Sequence, residues 1–145
     1  MLLAGKQAAT VVDLSLSTAY RKGHIPHAWF AIRARLRQAL AKIPLRGTLV
    51  LTSEDGVLAG LAAREAAEIA NAPVRVLAGG NAAWEAAGLA LSTELHMADE
   101  PLDVWVKPYE RIGNTVSAMT EYLNWEVDLL PRIERDGTTN FQRLV

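Results

Sequence analysis

The fold is decided by the stretch TLVLTSEDGVL, residues 48–58. Its first five residues are apolar or β-branched and follow Gly47, which predicts a strand over 48–52. After a loop over 53–56, an Ala-rich stretch over 57–70 is typical of a helix. A strand that passes through so short a loop into a helix is the first half of a β-α-β unit, whose strands run parallel.

The same alternation of strand and helix continues on both sides of this stretch. Apolar runs predict strands over 10–14, 28–30 and 74–77, and apolar residues at helical spacing predict a helix over 32–43. A short helix is predicted over 81–87. The pattern is that of a three-layer α/β/α domain around a parallel sheet. Such sheets bind ligands at the carboxyl ends of their strands, which directs attention to the loop that follows residue 52.

The charge of the chain changes near residue 99. Residues 1–98 carry ten Lys and Arg against seven Asp and Glu, whereas residues 99–145 carry five against nine. The change coincides with Asp99-Glu100-Pro101, a polar stretch that we interpret as a linker. We therefore expect a boundary near 95–105, with one domain over 1–98 and a helical extension over 99–145.

The C-terminal extension contains an amphipathic pattern. Apolar residues recur at steps of three and four, which predicts a helix of about four turns; they are Val116, Met119, Leu123, Val127 and Leu130. Pro131 is expected to end or kink this helix, and Gly137 to close a second, short one. Because an isolated helix of this length is marginal in water, we expect its apolar stripe to pack against residues 1–98 or against a second copy of the chain.

Composition excludes several classes of protein. The formal charge is −1, which gives no basis for nucleic-acid binding. No apolar run approaches the roughly 20 residues that span a bilayer, and no export signal is readable, so we expect a cytoplasmic location and no membrane partner. The absence of cysteine excludes disulfides, thiol nucleophiles and cysteine-ligated metals. His24 and His27 are separated by Pro26, which breaks a helical ligand pair, so neither a metal nor a cofactor is expected.

The loop after the strand, Ser53-Glu54-Asp55-Gly56-Val57-Leu58, leads into a helix N-terminus. Free backbone N–H groups and the helix dipole at such a place favour an anion. Glu54 and Asp55 oppose this, because they repel anions and can cap the N–H groups themselves. An ordinary acidic helix N-terminus is therefore one interpretation. A serine hydrolase is another, but it needs a positioned base, and neither His24 nor His27 has a paired acid in the sequence.

Three further motifs occur in a fixed order around this loop. Asp13 ends the first strand, Gly23-His24-Ile25-Pro26 follows it, and Gly79-Gly80 with Trp84 follows the loop. Together they resemble the rhodanese (thiosulfate:cyanide sulfurtransferase) homology domain, whose pattern is Asp-x-Arg, Gly-His-Ile-Pro-Gly-Ala, a strand ending in Cys, and Gly-Gly-x-x-x-Trp. The resemblance covers residues 8–92. Weaker similarity to the C-terminal tail of tandem rhodaneses lies in 105–111 and 122–128.

The resemblance implies a five-stranded parallel sheet between helix layers. The first strand of the family is expected to be missing here, because the chain begins at the helix that follows that strand, as a piece of a longer protein would. Such a piece would have neighbouring rhodanese domains or another protein as its partner.

The departures from the family pattern decide the chemistry that the resemblance implies. Ser53 stands at the position of the catalytic Cys, and Ser15 at that of the supporting Arg. We therefore expect a catalytically degenerate domain with a structural or interaction role. The alternative is part of an active sulfurtransferase whose Cys lies in another domain, which motifs upstream of Met1 would reveal. A third interpretation, a relative of the dual-specificity phosphatases that share the fold, is excluded because those enzymes need the same Cys.

Overall fold

The computed structural model describes residues 8–105, 107 and 115–138. The chain divides into two compact units, residues 1–104 and 105–145. The strands of the first unit are β1 Ala9–Asp13, β2 Trp29–Phe30, β3 Thr48–Thr52, β4 Val74–Val76 and β5 His96–Met97. Its helices are α1 Ser17–Lys22, α2 Leu36–Leu40, α3 Val57–Ile69 and α4 Gly80–Ala86, with a 3₁₀ turn at Arg33–Arg35. The second unit contains α5, Thr115–Asp136.

The five strands form one parallel sheet in the order β4-β3-β1-β2-β5. Asp13, the last residue of β1, lies beside Thr52, the last residue of β3, so the carboxyl ends of these two strands are level. The predicted α/β architecture around a parallel sheet is confirmed. The fifth strand in chain order, His96–Met97, was not predicted, because two residues are too few to show a period.

The sheet separates two apolar cores, because side chains alternate between its faces. Val12, Leu49 and Leu51 belong to the core that also contains α2 and the buried face of α3. Val11 and Val50 belong to the other core, with Tyr20 of α1, Ile25 and Phe30, and Trp84 of α4 packs against it. The three layers follow directly from this alternation along β1 and β3.

Two helices differ from the prediction. The pattern over 32–43 forms only the 3₁₀ turn and the five-residue α2, neither of which has a side-chain cap at its start. Pro44 follows this segment and disfavours helical geometry at the residue before it. Helix α1 was missed, because its six residues are too few to show an apolar stripe.

The segment interpreted as a linker belongs to the first unit. Asp99 is 4% exposed, and its Oδ2 accepts a hydrogen bond from the backbone N–H of Ile32 at 3.0 Å. Its Oδ1 lies 3.8 Å from Lys42 Nζ and 3.9 Å from Arg35 Nε. Asp103 Oδ2 accepts a hydrogen bond from Ser17 N at 2.6 Å, at the start of α1. Asp99 thus binds the backbone of the first unit, and the division between the two units, after Val104, lies within the predicted range 95–105.

Helix α5 is longer than predicted. It continues through Pro131, which therefore does not end it. Gly137 closes this same helix, with a left-handed φ of 63° and its N–H donating to the carbonyl of Ile133 at 3.3 Å. The apolar stripe of α5 is exposed, from 48% at Met119 to 77% at Val127. Within the described residues, no helix is long and apolar enough to cross a membrane.

We predict that the stripe of α5 is covered in solution, by residues 1–98 or by a second copy of the chain. A chain that ends at Val104 keeps the contacts of Asp99 and Asp103 and removes only the second unit. Because burial of each large side chain contributes roughly 1.5–3 kcal/mol, this truncation should lower the melting temperature or cause aggregation. The check is thermal unfolding of both chains. An unchanged melting temperature with freely exchanging amides in α5 would show that the tail is only a linker.

Candidate functional site

The loop between β3 and α3 uses its own side chains to bind the first amides of the helix. Ser53 is 2% exposed, and its Oγ accepts a hydrogen bond from Ala59 N at 3.3 Å. Asp55 Oδ1 accepts one from Val57 N at 2.9 Å. Gly56 supplies the left-handed residue, with φ of 82°, from which α3 begins. Of the two acidic loop residues that the sequence offers to helix N–H groups, Asp55 thus binds one, the amide of Val57, from the position before the N-cap Gly56.

The N-terminus of α4 holds the other side of this loop. The carbonyl of Ser53 accepts a hydrogen bond from Asn81 N at 2.9 Å, and the carbonyl of Glu54 accepts one from Ala82 N at 2.8 Å. This close approach depends on Gly80, which has φ of 61°. A Cβ there would lie 2.1 Å from Ser53 O and 2.4 Å from Gly56 N. The pair Gly79-Gly80 therefore turns the chain and also lets α4 touch the loop.

A buried polar network lies under the loop, at the carboxyl ends of β1 and β3. Asn81 Nδ2 donates to Asp13 Oδ2 at 2.8 Å and to Ser15 Oγ at 3.1 Å. Thr52 Oγ1 donates to Asn81 Oδ1 at 2.8 Å, and Ser15 N donates to Asp13 Oδ1 at 2.9 Å. Asp13 and Thr52 are fully buried. Asn81 thus joins two strands to α4, a role that its sequence neighbours did not indicate.

The motif Gly23-His24-Ile25-Pro26 supports the backbone and does not supply a catalytic base. His24 is fully buried, with Nδ1 2.8 Å from the carbonyl of Tyr20 and Nε2 2.9 Å from that of Glu94. Its ring stacks on Tyr20 at a centroid distance of 3.8 Å. Both ring nitrogens therefore lie against backbone carbonyls and not against Ser53, whose Oγ contacts Ala59 N. This removes the support for a serine hydrolase.

Tyr20 connects α1 to the two strands beside it. Its hydroxyl donates to the carbonyl of Ala28 at 2.7 Å and accepts a hydrogen bond from His96 N at 3.1 Å. Burial raises the pKa of Tyr20; the backbone hydrogen bond to His96 opposes this effect and the charge of Asp13 adds to it. The neutral phenol of Tyr20 is therefore the form present in the folded chain, where its O–H donates a hydrogen bond. Trp84 plays a comparable structural part, because its Nε1 donates to the carbonyl of Ala90 at 2.9 Å while its ring packs on the second core.

The comparisons with known proteins agree with this geometry. A family model of the rhodanese-like domain matches residues 2–87. This chain belongs to the rhodanese-like domain family. No curated protein matches it significantly.

The solved structures that resemble this chain differ in how much of their own length it covers. Thiosulfate sulfurtransferase from Pseudomonas aeruginosa matches 99% of this chain, with 36% identity and a TM-score of 0.81, and the chain spans 27% of that protein. A rhodanese-related protein from Thermoplasma volcanium matches 64% of this chain and 92% of its own length, with 17% identity and a TM-score of 0.57. A protein of unknown function from Rhodopseudomonas palustris, described as a possible tyrosine phosphatase, matches 58% of this chain and 70% of its own, with 25% identity and a TM-score of 0.50.

A cleft opens beside the loop of this rhodanese-like domain. It is bounded by α1 and by the start of α4, and Leu16 and Leu91 contribute apolar walls. The charged residues among its lining are Lys22, Glu54 and Glu85, which gives one positive and two negative groups. The lining therefore has no net positive charge with which to attract a dianion such as thiosulfate.

Proposed function

We propose that this rhodanese-like domain is catalytically degenerate, with Ser53 at the position of the family's sulfur-carrying Cys. Its role is structural or interactive within a longer cytoplasmic sulfurtransferase, where it supports a neighbouring domain or presents its altered loop to a partner. One observation carries the proposal: the side chain at the end of β3 is a buried serine whose Oγ accepts a hydrogen bond from Ala59 N.

The chemistry of sulfur transfer explains why serine is decisive. A thiolate attacks the outer sulfur of thiosulfate, sulfite leaves, and the sulfur stays on the enzyme as a persulfide. A serine hydroxyl is barely ionised near pH 7 without a base, whereas a thiol at a helix N-terminus is partly thiolate. Oxygen is also a harder nucleophile, and an oxygen–sulfur adduct would hydrolyse. None of the chain's residues is a cysteine that could take over the step.

The state of the loop amides supports the same proposal. A loop that binds thiosulfate must turn free N–H groups toward the anion. Here the amide of Val57 already donates to Asp55, and the amide of Ala59 donates to Ser53. Glu54 and Asp55 are exposed and bring two negative charges to the same helix N-terminus. The loop is therefore stable without an anion and repels one.

A second function is favoured by one observation. The match to a thiosulfate sulfurtransferase covers 99% of this chain but only 27% of that protein. This longer relative therefore contains other domains. In the second proposal the parent protein is an active sulfurtransferase and its catalytic Cys lies outside this chain. Further Gly-His-Ile-Pro and strand-Cys motifs upstream of Met1 would favour this proposal, and their absence would favour an interaction protein.

The test of degeneracy is an assay of the chain with thiosulfate and cyanide. We expect no thiocyanate above the blank, because the reaction needs a thiolate and the chain has none. A rhodanese with its Cys intact serves as the positive control under the same conditions. Turnover by the chain itself would contradict the proposal.

Restoring the thiol alone should restore little reactivity. We expect Ser53→Cys to react slowly with thiosulfate or iodoacetamide, because Glu54 and Asp55 raise the pKa of the new thiol. Combining it with Glu54→Gln and Asp55→Ser removes both negative charges from the loop before α3. The triple variant should react about five- to tenfold faster at pH 7, since one unit of thiol pKa changes the thiolate fraction about tenfold.

A matched control separates local charge from net charge. Ser53→Cys with Glu65→Gln and Glu68→Gln neutralises two acids on the far half of α3, about 12 Å or more from its start. This distance exceeds the Debye length at physiological salt, so its thiol should react like that of Ser53→Cys alone. Equal rates for all three variants would mean that the shape of the loop, and not its charge, blocks the site.

A further inference from the structure

A cluster of three potential metal ligands lies away from the loop. One ligand atom each of His27, Glu94 and His96 lies within 4.8 Å of the others. His96 Nε2 is 3.8 Å from Glu94 Oε1. His27 precedes β2 and His96 is the first residue of β5, so the cluster lies at the amino ends of these strands. The loop over 53–56 follows the carboxyl end of β3, at the opposite edge of the sheet.

The backbone at His27 is strained. Among the described residues, His27 is the one non-glycine with a positive φ, at 63°. This left-handed conformation is unfavourable for a residue with a Cβ and persists at sites where the side chain has a function. A glycine at this position would remove the strain. The chain instead keeps an exposed imidazole there, beside Glu94 and His96.

A second, independent observation concerns His96. Its Nε2 atom is buried and has no hydrogen-bond partner within the described part of the chain. A buried nitrogen without a partner is costly and rare in native proteins. The ring is held from the side by Trp29, at a centroid distance of 5.6 Å. The unpartnered nitrogen is also the atom nearest the carboxylate of Glu94, so a cation bound between them would satisfy both.

The chemistry of the three groups selects the class of ion. Two imidazoles and one carboxylate are a ligand set of zinc, which leaves a fourth position open to water. Hard cations such as Mg²⁺ and Ca²⁺ prefer oxygen ligands and are not well served by imidazole. Tetrahedral zinc with bonds of about 2.0 Å needs its ligand atoms about 3.3 Å apart. The side chain of Glu94 is 70% exposed and therefore free to turn inward by the remaining distance.

We propose that His27, Glu94 and His96 bind a Zn²⁺-class transition-metal ion, which fastens the turn before β2 to β5. The ligands His27 and His96 are far apart in sequence, but the sheet brings them together, because Trp29, two residues after His27, pairs with His96. β5 contains only two residues, so a metal clip at its start would hold the outermost strand in place. Binding would therefore stabilise the folded chain in proportion to free metal, independently of any sulfur chemistry.

The experiment is a titration of the tag-free, EDTA-treated full chain with ZnCl₂, followed by calorimetry and thermal unfolding. We expect one ion per chain at micromolar affinity, and a melting temperature about 10 °C higher at a hundredfold excess over Kd. MgCl₂ should produce neither effect. The chain has three histidines, so NMR of their rings offers a direct readout: Zn²⁺ should shift His27 and His96 most, and His24, which contacts Glu94 only through its backbone, much less.

Variants make the proposal falsifiable. His27→Gly should weaken Zn²⁺ binding at least tenfold and, because glycine accepts the left-handed backbone, raise the melting temperature of the metal-free chain. His96→Gln should weaken binding similarly, and Glu68→Gln on the exposed face of α3 should not change it. Unchanged binding in His27→Gly, or no stoichiometric binding by the parent chain below millimolar zinc, would overturn the proposal. Because His27→Gly relieves strain, a folding defect cannot hide the result.

Discussion

Replacing Gly80 by Ala should remove a large part of the domain's free energy of unfolding. The new Cβ would lie 2.1 Å from Ser53 O and 2.4 Å from Gly56 N, both backbone atoms that cannot rotate away, and φ at this position is 61°. Close packing and backbone strain act together, so we expect a loss of about 4 kcal/mol or more in the free energy of unfolding. This is a large part of the total stability of a small domain. Urea denaturation measures it, or the soluble yield if the variant does not fold.

Two other glycines serve as controls that separate close packing from backbone strain. A Cβ at Gly60, inside α3, would have no atom within 4 Å, so Gly60→Ala should stabilise the helix by about 0.5–1 kcal/mol. Gly88 is equally open but has φ of 69°, so Gly88→Ala should cost only the strain, about 1–2 kcal/mol. If Gly80→Ala and Gly88→Ala lower the free energy of unfolding by the same amount, the position of α4 does not depend on its close approach to the loop.

Asn81→Asp should have the second largest effect. The substitution keeps the shape of the side chain but replaces the amide that donates to Asp13 Oδ2 by a carboxylate oxygen. Two carboxyl groups would then face each other in a buried place, and Ser15 Oγ would lose the same donor. We expect a loss of about 3–5 kcal/mol at pH 7, because breaking a buried charged contact leaves its partner uncompensated.

The pH dependence identifies this mechanism. Protonation of either carboxyl group relieves the repulsion and restores a donor, so the loss in Asn81→Asp should shrink as the pH falls toward 4. The same substitution at exposed Asn71 should change the free energy of unfolding by less than about 0.5 kcal/mol at any of these pH values. A loss in Asn81→Asp that does not depend on pH would point to packing instead of charge.

The sequence predicted those features of the fold that depend on local pattern. The strand over 48–52 has the bounds that its apolar run indicated, and the helix after it ends one residue earlier than predicted. The hydrogen bond from the amide of Val57 to Asp55 was also predictable, because it spans only two residues. Short elements were missed where tertiary contacts decide the structure. The first amide of α1, Ser17 N, donates to Asp103, a residue that is distant in sequence.

The site was predictable only in part, for the same reason. The motif residues Asp13, Gly80 and His24 were found from their order. The hydrogen bonds of Asn81 to Asp13 and Ser15, however, span 68 and 66 positions of the sequence. The pairing of His27 with His96 depends on the register of β2 against β5, and no periodicity of the sequence reveals that register. His24 and His27 are neighbours in the sequence, but in the structure His24 contacts backbone carbonyls and His27 lies beside Glu94 and His96.

We propose that this domain cannot carry sulfur, and the intact mass of the chain after incubation with thiosulfate is the most direct test. A persulfide adds one sulfur atom, about 32 Da, and is removed by cyanide, which distinguishes it from oxidation of methionine. We predict no cyanide-labile mass increase for the chain, and an increase for the variant that combines Ser53→Cys, Glu54→Gln and Asp55→Ser. A stoichiometric, cyanide-labile increase of about 32 Da on the unmodified chain would contradict the account.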